Sequence, residues 1–282
     1  MTNALAKEGV DPKQTSDAWN QLQQLNKQYG DLAADAALAA GGALPPPFGT
    51  AADVASLGKS LFSGDWGGAL LDLVGFVPLL GDAAKGGKIA NKLNDLRKAI
   101  DTANSALARR LQQTKDVAKK YWDDIAKKNR KAYDEAIKNC QSKACREDLA
   151  KLKGPQFEKT PKSGENGNWS GERGDSTWKP SNGGPEIKYK NGFPDYGPHS
   201  AGNVEIPMKG NHTTDFTAAD NAMREKLGNP NWKRPSDHTW HHKEDGVTMQ
   251  LIPKNIHSTG GGASTPHLGG AAMHSGSHST DF

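Results

Sequence analysis

Trp240-His241-His242-Lys243-Glu244-Asp245-Gly246-Val247-Thr248-Met249-Gln250-Leu251-Ile252-Pro253 is the stretch whose reading decides the fold of the C-terminal part of the chain. His238 to His242 predicts a strand, Lys243-Glu244-Asp245-Gly246 a turn with glycine where positive φ is tolerated, and Val247 to Ile252 the returning strand. Pro253 ends it, because proline has no N–H to give to a sheet. Lys254 to about Gly260 begins a helix or turn that carries His257 back over the hairpin. A ββα unit of this shape sets groups from the end of the first strand opposite groups from the helix.

Seven of the nine histidines lie in the last 45 residues. Neutral imidazole binds divalent transition metals, and an ordinary pKa near 6.5 lets it also take a proton at neutral pH. His241, His242, His257 and His267 are therefore the candidates for ligands and base, against the plainer reading of surface or packed helix-end histidines. His238 reads as a surface or supporting group. The Gly/Ser tail with His274 and His278 reads as unpacked chain. If phosphodiester cleavage is the chemistry, the requirement is a cation on the phosphoryl oxygens and a base for the attacking water, and convergent histidines supply both.

Working outward, 282 residues suit two domains. A net charge of +4, from 36 Lys and Arg against 32 Asp and Glu, does not by itself mark a nucleic-acid binder. With 34% hydrophobic residues and 32 glycines, long loops around modest cores are expected. The two cysteines, Cys140 and Cys145, exclude a disulfide scaffold. On a continuous helix they fall on opposite sides, which favours reduced thiols over the alternative, a clip across a helix–turn–helix bend. Residues Met1 to Lys27 lack the basic start, apolar run and cleavage site of a secretion signal, so a cytoplasmic protein or a signal-independent export route is expected.

Trp19, Leu22, Leu25 and Tyr29 predict a helix over Thr15–Leu32, ended by Gly30. Ala33 to Leu44 is almost entirely Ala, Gly and Leu, and Pro45-Pro46-Pro47 breaks it. A second small-residue run spans Thr50 to Phe62, and Gly67 to Leu80 is strongly apolar, with Asp35, Asp53, Asp72 and Pro78 as interruptions. None reaches the roughly 20 residues of a spanning helix. They read as a buried helical hairpin or, alternatively, as a hairpin that inserts into membrane, with transient membrane contact through residues 33–85. Ile89, Leu93, Leu96, Ile100, Ala103, Leu107 and Leu111 begin a long helical section from Lys85 to Lys153. Its basic outer face, Lys119-Lys120 and Lys127-Lys128-Asn129-Arg130-Lys131, is a solvated surface or a contact for phosphates or anionic lipid.

At Gly154-Pro155 the composition changes to Gly, Ser, Pro and Asn, which places a linker at residues 154–164. Trp169 and Trp178 would be wasteful in a free linker, so the segment carrying them is expected to pack on the C-terminal domain. Ile187–Tyr189 and Val204–Ile206 are strand candidates. A helix from Phe216 to Leu227 follows, capped by Thr214 or Asp215 and stopped by Gly228.

Trp240-His241-His242, Met249-Gln250-Leu251-Ile252-Pro253, His257 and His267-Leu268-Gly269-Gly270 resemble the WHH group of HNH/endonuclease VII-type nucleases found at the C-termini of bacterial polymorphic toxins. Gly174-Asp175-Ser176, Tyr189, Asn191-Gly192-Phe193-Pro194-Asp195-Tyr196 and Asp215-Phe216 resemble the leading segment of that group, so the likeness spans residues 165–282. Gly64-Asp65-Trp66 through Val77-Pro78-Leu79-Leu80-Gly81-Asp82 resembles the segments that precede such modules.

The resemblance implies an α+β protein: a helical delivery region over 1–153, then a small ββα-metal (treble-clef-like HNH) nuclease domain over 165–282. It implies His241, His257 and His267 as metal ligands and His242 as general base, with His241 and His242 the catalytic pair. Gln250 is the candidate to orient the base. One divalent ion is expected, zinc or nickel by ligand geometry, magnesium or manganese as alternatives. Lys233, Arg234, Lys243 and Lys254 are expected to hold flanking phosphates. The implied role is a secreted antibacterial toxin that cleaves DNA in the target-cell cytoplasm. Its partners would be a type VI-like or other contact-dependent secretion machinery and an immunity protein. An RNase of the same fold, a membrane-active toxin working through the apolar hairpin and a non-catalytic His-rich metal module are the alternatives.

Overall fold

The computed structural model describes residues 2–39, 84–257 and 265–274. The apolar segment over residues 40–83 lies outside the described residues, and so does His278. Among the described residues no helix is long and apolar enough to cross a membrane. The protein is α+β. It divides into two compact units, one of residues 1–10, 112–219 and 234–282, the other of residues 11–111 and 220–233.

In the second unit, helix α2 (Pro12–Ala39) runs past the expected stop at Gly30. The following Ala-rich run has the highest helix propensity available and carries the helix through a single glycine. Helix α3 (Ala84–Ile137) buries Leu93, Ile100 and Leu107 at seven-residue spacing, with Leu111, as the apolar stripe predicts. Trp19 and Leu22 of α2 are buried too, and Arg110 donates to Gln14 at 2.9 Å.

In the first unit, α1 (Thr2–Lys7) and Val10 pack on Val117 of α3. Trp122 meets Phe193 edge to face at 5.0 Å and donates its indole N–H to the Glu244 carbonyl at 3.3 Å. The expected helix to Lys153 breaks at Ile137, and α4 (Lys143–Leu149) starts afresh, its Cys145 N–H donating to the Ser142 hydroxyl. That break changes the reading of the cysteines: Cys140 and Cys145 stand on either side of it, with Cα atoms 5.5 Å apart, and form a disulfide. The preference for reduced thiols assumed one continuous helix.

The segment expected as a linker, 154–164, is folded into this unit. Helix α5 (Pro155–Glu158) buries Gln156 and Phe157, and Thr160 is buried beside it. The buried Arg173 guanidinium donates to the Thr160 hydroxyl and to the Thr160, Glu147 and Glu158 carbonyls.

Two antiparallel sheets follow. The first has the order β1 (Gly167–Trp169), β2 (Thr177–Pro180), β3 (Ile187–Lys190), β4 (Phe193–Pro194). Trp169 faces Trp178 across β1 and β2, and both are buried, as two tryptophans in a glycine-rich segment require. The second sheet has the order β5 (Gly202–Glu205), β7 (Thr248–Pro253), β6 (His238–His242). The two sheets share one core of Trp169, Trp178, Ile187, Tyr189, Tyr196, Ile252 and Ile256. Helix α6 (His212–Leu227) begins earlier than expected because Asn211 caps it, accepting the Thr214 N–H at 3.1 Å.

Candidate functional site

The hairpin forms as its pattern predicts, with Trp240 opposite Leu251, His241 opposite Gln250 and His242 opposite Met249. Gly246 takes φ 77° in the turn. Pro253 passes directly into α7 (Lys254–His257), which places His257 over the sheet. Neighbouring side chains on a strand point to opposite faces. His241 and His242 therefore look into different surroundings.

On one face, His241 Nδ1 lies 3.2 Å from His257 Nε2 and 3.2 Å from His267 Nε2. One Nδ1–H can satisfy only one of two such neighbours. A tetrahedral ion with metal–nitrogen bonds of about 2.0–2.1 Å brings its ligand nitrogens about 3.3 Å apart. The three imidazoles can thus hold one metal ion, their ligand atoms all within 4.8 Å of one another. His267 is prepared for that task. Its Nδ1–H donates to the Thr265 carbonyl at 2.8 Å, and since a carbonyl only accepts, the lone pair is left on the Nε2 that faces His241.

Tyr196 walls the cluster, with its ring centroid 4.8 Å from His241, 5.7 Å from His257 and 5.6 Å from His267. The Thr265 hydroxyl donates to the Ile256 carbonyl at 2.8 Å. It must therefore accept from the Tyr196 O–H, 2.6 Å away. Tyr189 donates to the Pro266 carbonyl at 3.3 Å. These bonds fix the segment that carries His267. Burial pushes the Tyr196 phenol up, so it stays a neutral donor.

Desolvation holds all three histidines down: His241 well below its ordinary value, His257 at about 3 and His267 at about 4. All three are neutral at pH 7, the state a metal ligand needs.

On the other face, His242 Nε2 is 3.1 Å from Asp215 Oδ2, both side chains buried. Asp215 also accepts the Lys209 N–H at 3.0 Å and the Gly210 N–H at 2.9 Å. Burial pushes its carboxyl up, but the bonds from His242 and these two amides outweigh burial and hold it below the ordinary range. His212 and Phe216 stack beside the His242 ring at 5.4 and 5.7 Å.

Gln250, expected to orient the base, lies opposite His241 and shares its face, so it is on the wrong side of the sheet for His242. Asp215 occupies that place. Asp215 and His212 were missed as site residues because an acid at a helix start reads as a cap, and its partner lies 27 residues on. His274 is packed rather than free in the tail. Its ring bonds the Gly246 backbone within electrostatic reach of Asp215, and its Nε2 is buried without a partner among the described residues. The second glycine after His267 is required by packing: a Cβ on Gly270 would clash with the Lys243 carbonyl and fall 3.1 Å from the His242 carbonyl oxygen.

The four basic residues expected at phosphates have separate placements. Lys254 Nζ donates to the Ser236 carbonyl at 2.8 Å, and Lys243 lies 3.8 Å from Asp245. Arg234 stacks over Phe216 at 4.9 Å. Lys233 is exposed and belongs to the other unit.

No curated protein matches this chain. Residues 230–277 match the family described as a nuclease of the HNH/ENDO VII superfamily with conserved WHH, a span that holds the hairpin, α7 and all three converging histidines. Residues 230–277 of this chain are a WHH nuclease domain of the HNH/ENDO VII superfamily.

Proposed function

We propose that this domain is a single-metal endonuclease, with His241, His257 and His267 as ligands and His242 as general base. The observation that carries the reading is the convergence of three neutral imidazole nitrogens, two pairs at 3.2 Å, next in sequence to a histidine paired with a carboxylate. A divalent ion bound there would supply Lewis-acid stabilisation of the phosphoryl oxygens. His242 would take the proton of the attacking water. Arg234, Lys243 and Lys254 are the cations nearest in sequence within the same unit that can hold flanking phosphates. Zinc or nickel suits three imidazoles best, with magnesium or manganese as the competing ions.

DNA is the proposed substrate, and the proposed role is a secreted antibacterial toxin acting in the target-cell cytoplasm. The likeness of residues 165–282 to toxin nucleases and the helical N-terminal region support it. A nuclease of this kind endangers its producer, so an immunity protein and a signal-independent export machinery are the proposed partners. The test incubates the full-length protein with supercoiled plasmid and, in parallel, total RNA, across Zn²⁺, Ni²⁺, Mg²⁺ and Mn²⁺. Nicked and linear plasmid with one of the ions is the expected result. Intact DNA with every ion contradicts the DNase reading, and cleaved RNA in the same series moves it to an RNase.

A further inference from the structure

We infer that the first turn of α6 is a built holder for His242, in which Asp215 fixes the tautomer of the imidazole while His212 and Phe216 fix its plane, leaving Nδ1 as the atom that accepts the proton. The inference rests on the reading of His242 as the base. His212, Asp215 and Phe216 stand at positions i, i+3 and i+4, so one helix face presents all three to the same ring. An ionised carboxylate only accepts hydrogen bonds, so the His242 proton shared with Asp215 Oδ2 at 3.1 Å belongs to Nε2. The lone pair is then on Nδ1.

The two stacked neighbours do different work from the carboxylate. His212 lies nearly parallel to His242, at 29° and 5.4 Å, and Phe216 at 30° and 5.7 Å. His212 and Phe216 also stack on each other at 16° and 5.4 Å. A ring so enclosed cannot rotate about its side-chain bonds without breaking these contacts. Asp215 is itself fixed, because the backbone N–H groups of Lys209 and Gly210 bind its oxygens. Asp215 is a positioning residue that acts through His242.

The test has two arms on the full-length protein. In the first, two-dimensional ¹H–¹⁵N NMR of histidine-labelled wild-type protein reads the His242 tautomer, assigned by its absence from His242→Ala. A proton on Nε2 is expected, and a proton on Nδ1 overturns the inference whether or not the protein cuts DNA. In the second arm, Asp215→Asn is expected to lower kcat about 100-fold or more, with KM and Zn²⁺ affinity unchanged and Asp215→Glu recovering part of the loss. Phe216→Leu is expected to lower kcat about tenfold with the Nε2 proton retained. An Asp215→Asn kcat within threefold of wild type overturns the inference. Should wild-type protein cleave no nucleic acid with any ion, the endonuclease reading fails, and the tautomer measurement still decides the holder.

Discussion

His241 and His242 are neighbours on one strand, yet the strand's alternation gives them opposite surroundings. His241 looks onto two imidazoles and a tyrosine ring, with no carboxylate among the described groups bonded to it, and desolvation holds it neutral. His242 looks onto Asp215, whose carboxyl is held below the ordinary range and whose Oδ2 lies 3.1 Å from the His242 Nε2. In the proposed function the same side chain serves as a metal ligand on one face and as the proton acceptor on the other. Adjacency of the two histidines is what gives them separate surroundings, because a two-residue spacing would put both on the same face.

The largest expected effect comes from removing the group on the base side. His242→Ala is expected to lower kcat about 10³-fold while leaving divalent-ion affinity within about threefold of wild type, read by steady-state cleavage and calorimetry. Loss of metal binding in that variant would merge the two faces. On the ligand side, His257→Ala or His267→Ala is expected to weaken Zn²⁺ binding by about 100-fold or more, beyond what loss of a supporting residue gives. The thermal stabilisation that the ion confers on wild-type protein should shrink with it.

A smaller effect is expected one layer out. Tyr196→Phe removes the O–H that Thr265 accepts and should weaken Zn²⁺ binding about tenfold, with kcat at saturating ion unchanged. An unchanged affinity would mean that the ring wall alone positions His267.

The last expected effect is in stability against pH. His257 and His267 have folded-state values of about 3 and about 4, below the unfolded value near 6.5. The unfolded chain therefore binds more protons in that window, and metal-free stability should fall as pH drops from about 6.5 through about 4 to about 3. His267→Ala should flatten part of that slope in chemical-denaturation series. An identical slope in wild type and variant would show that these histidines are not desolvated.

The ligand side was far more legible in the sequence than the base side. Strand alternation, a glycine turn and a terminating proline are local signals, and they located β6, β7 and the His257 return correctly. His267 lies beyond residues 258–264, and what fixes it is the Tyr196–Thr265–Ile256 hydrogen-bond chain, which no local spacing announces. Asp215 was hidden by its double use, since it bonds backbone amides at the helix start and His242 across the fold. Strands β1 and β2 escaped because a Gly- and Ser-rich stretch lacks alternation, although its two tryptophans did announce burial. The disulfide depended on a helix break after Ile137 that the apolar stripe ran straight through.

The most direct test of the division between the two faces is a paired calorimetric titration with Zn²⁺ of His242→Ala and His267→Ala, each beside wild type. One ion per chain at wild-type affinity is expected for His242→Ala, and about 100-fold weaker binding, or none, for His267→Ala. Equal losses in the two variants, or an undiminished affinity in His267→Ala, would contradict that division.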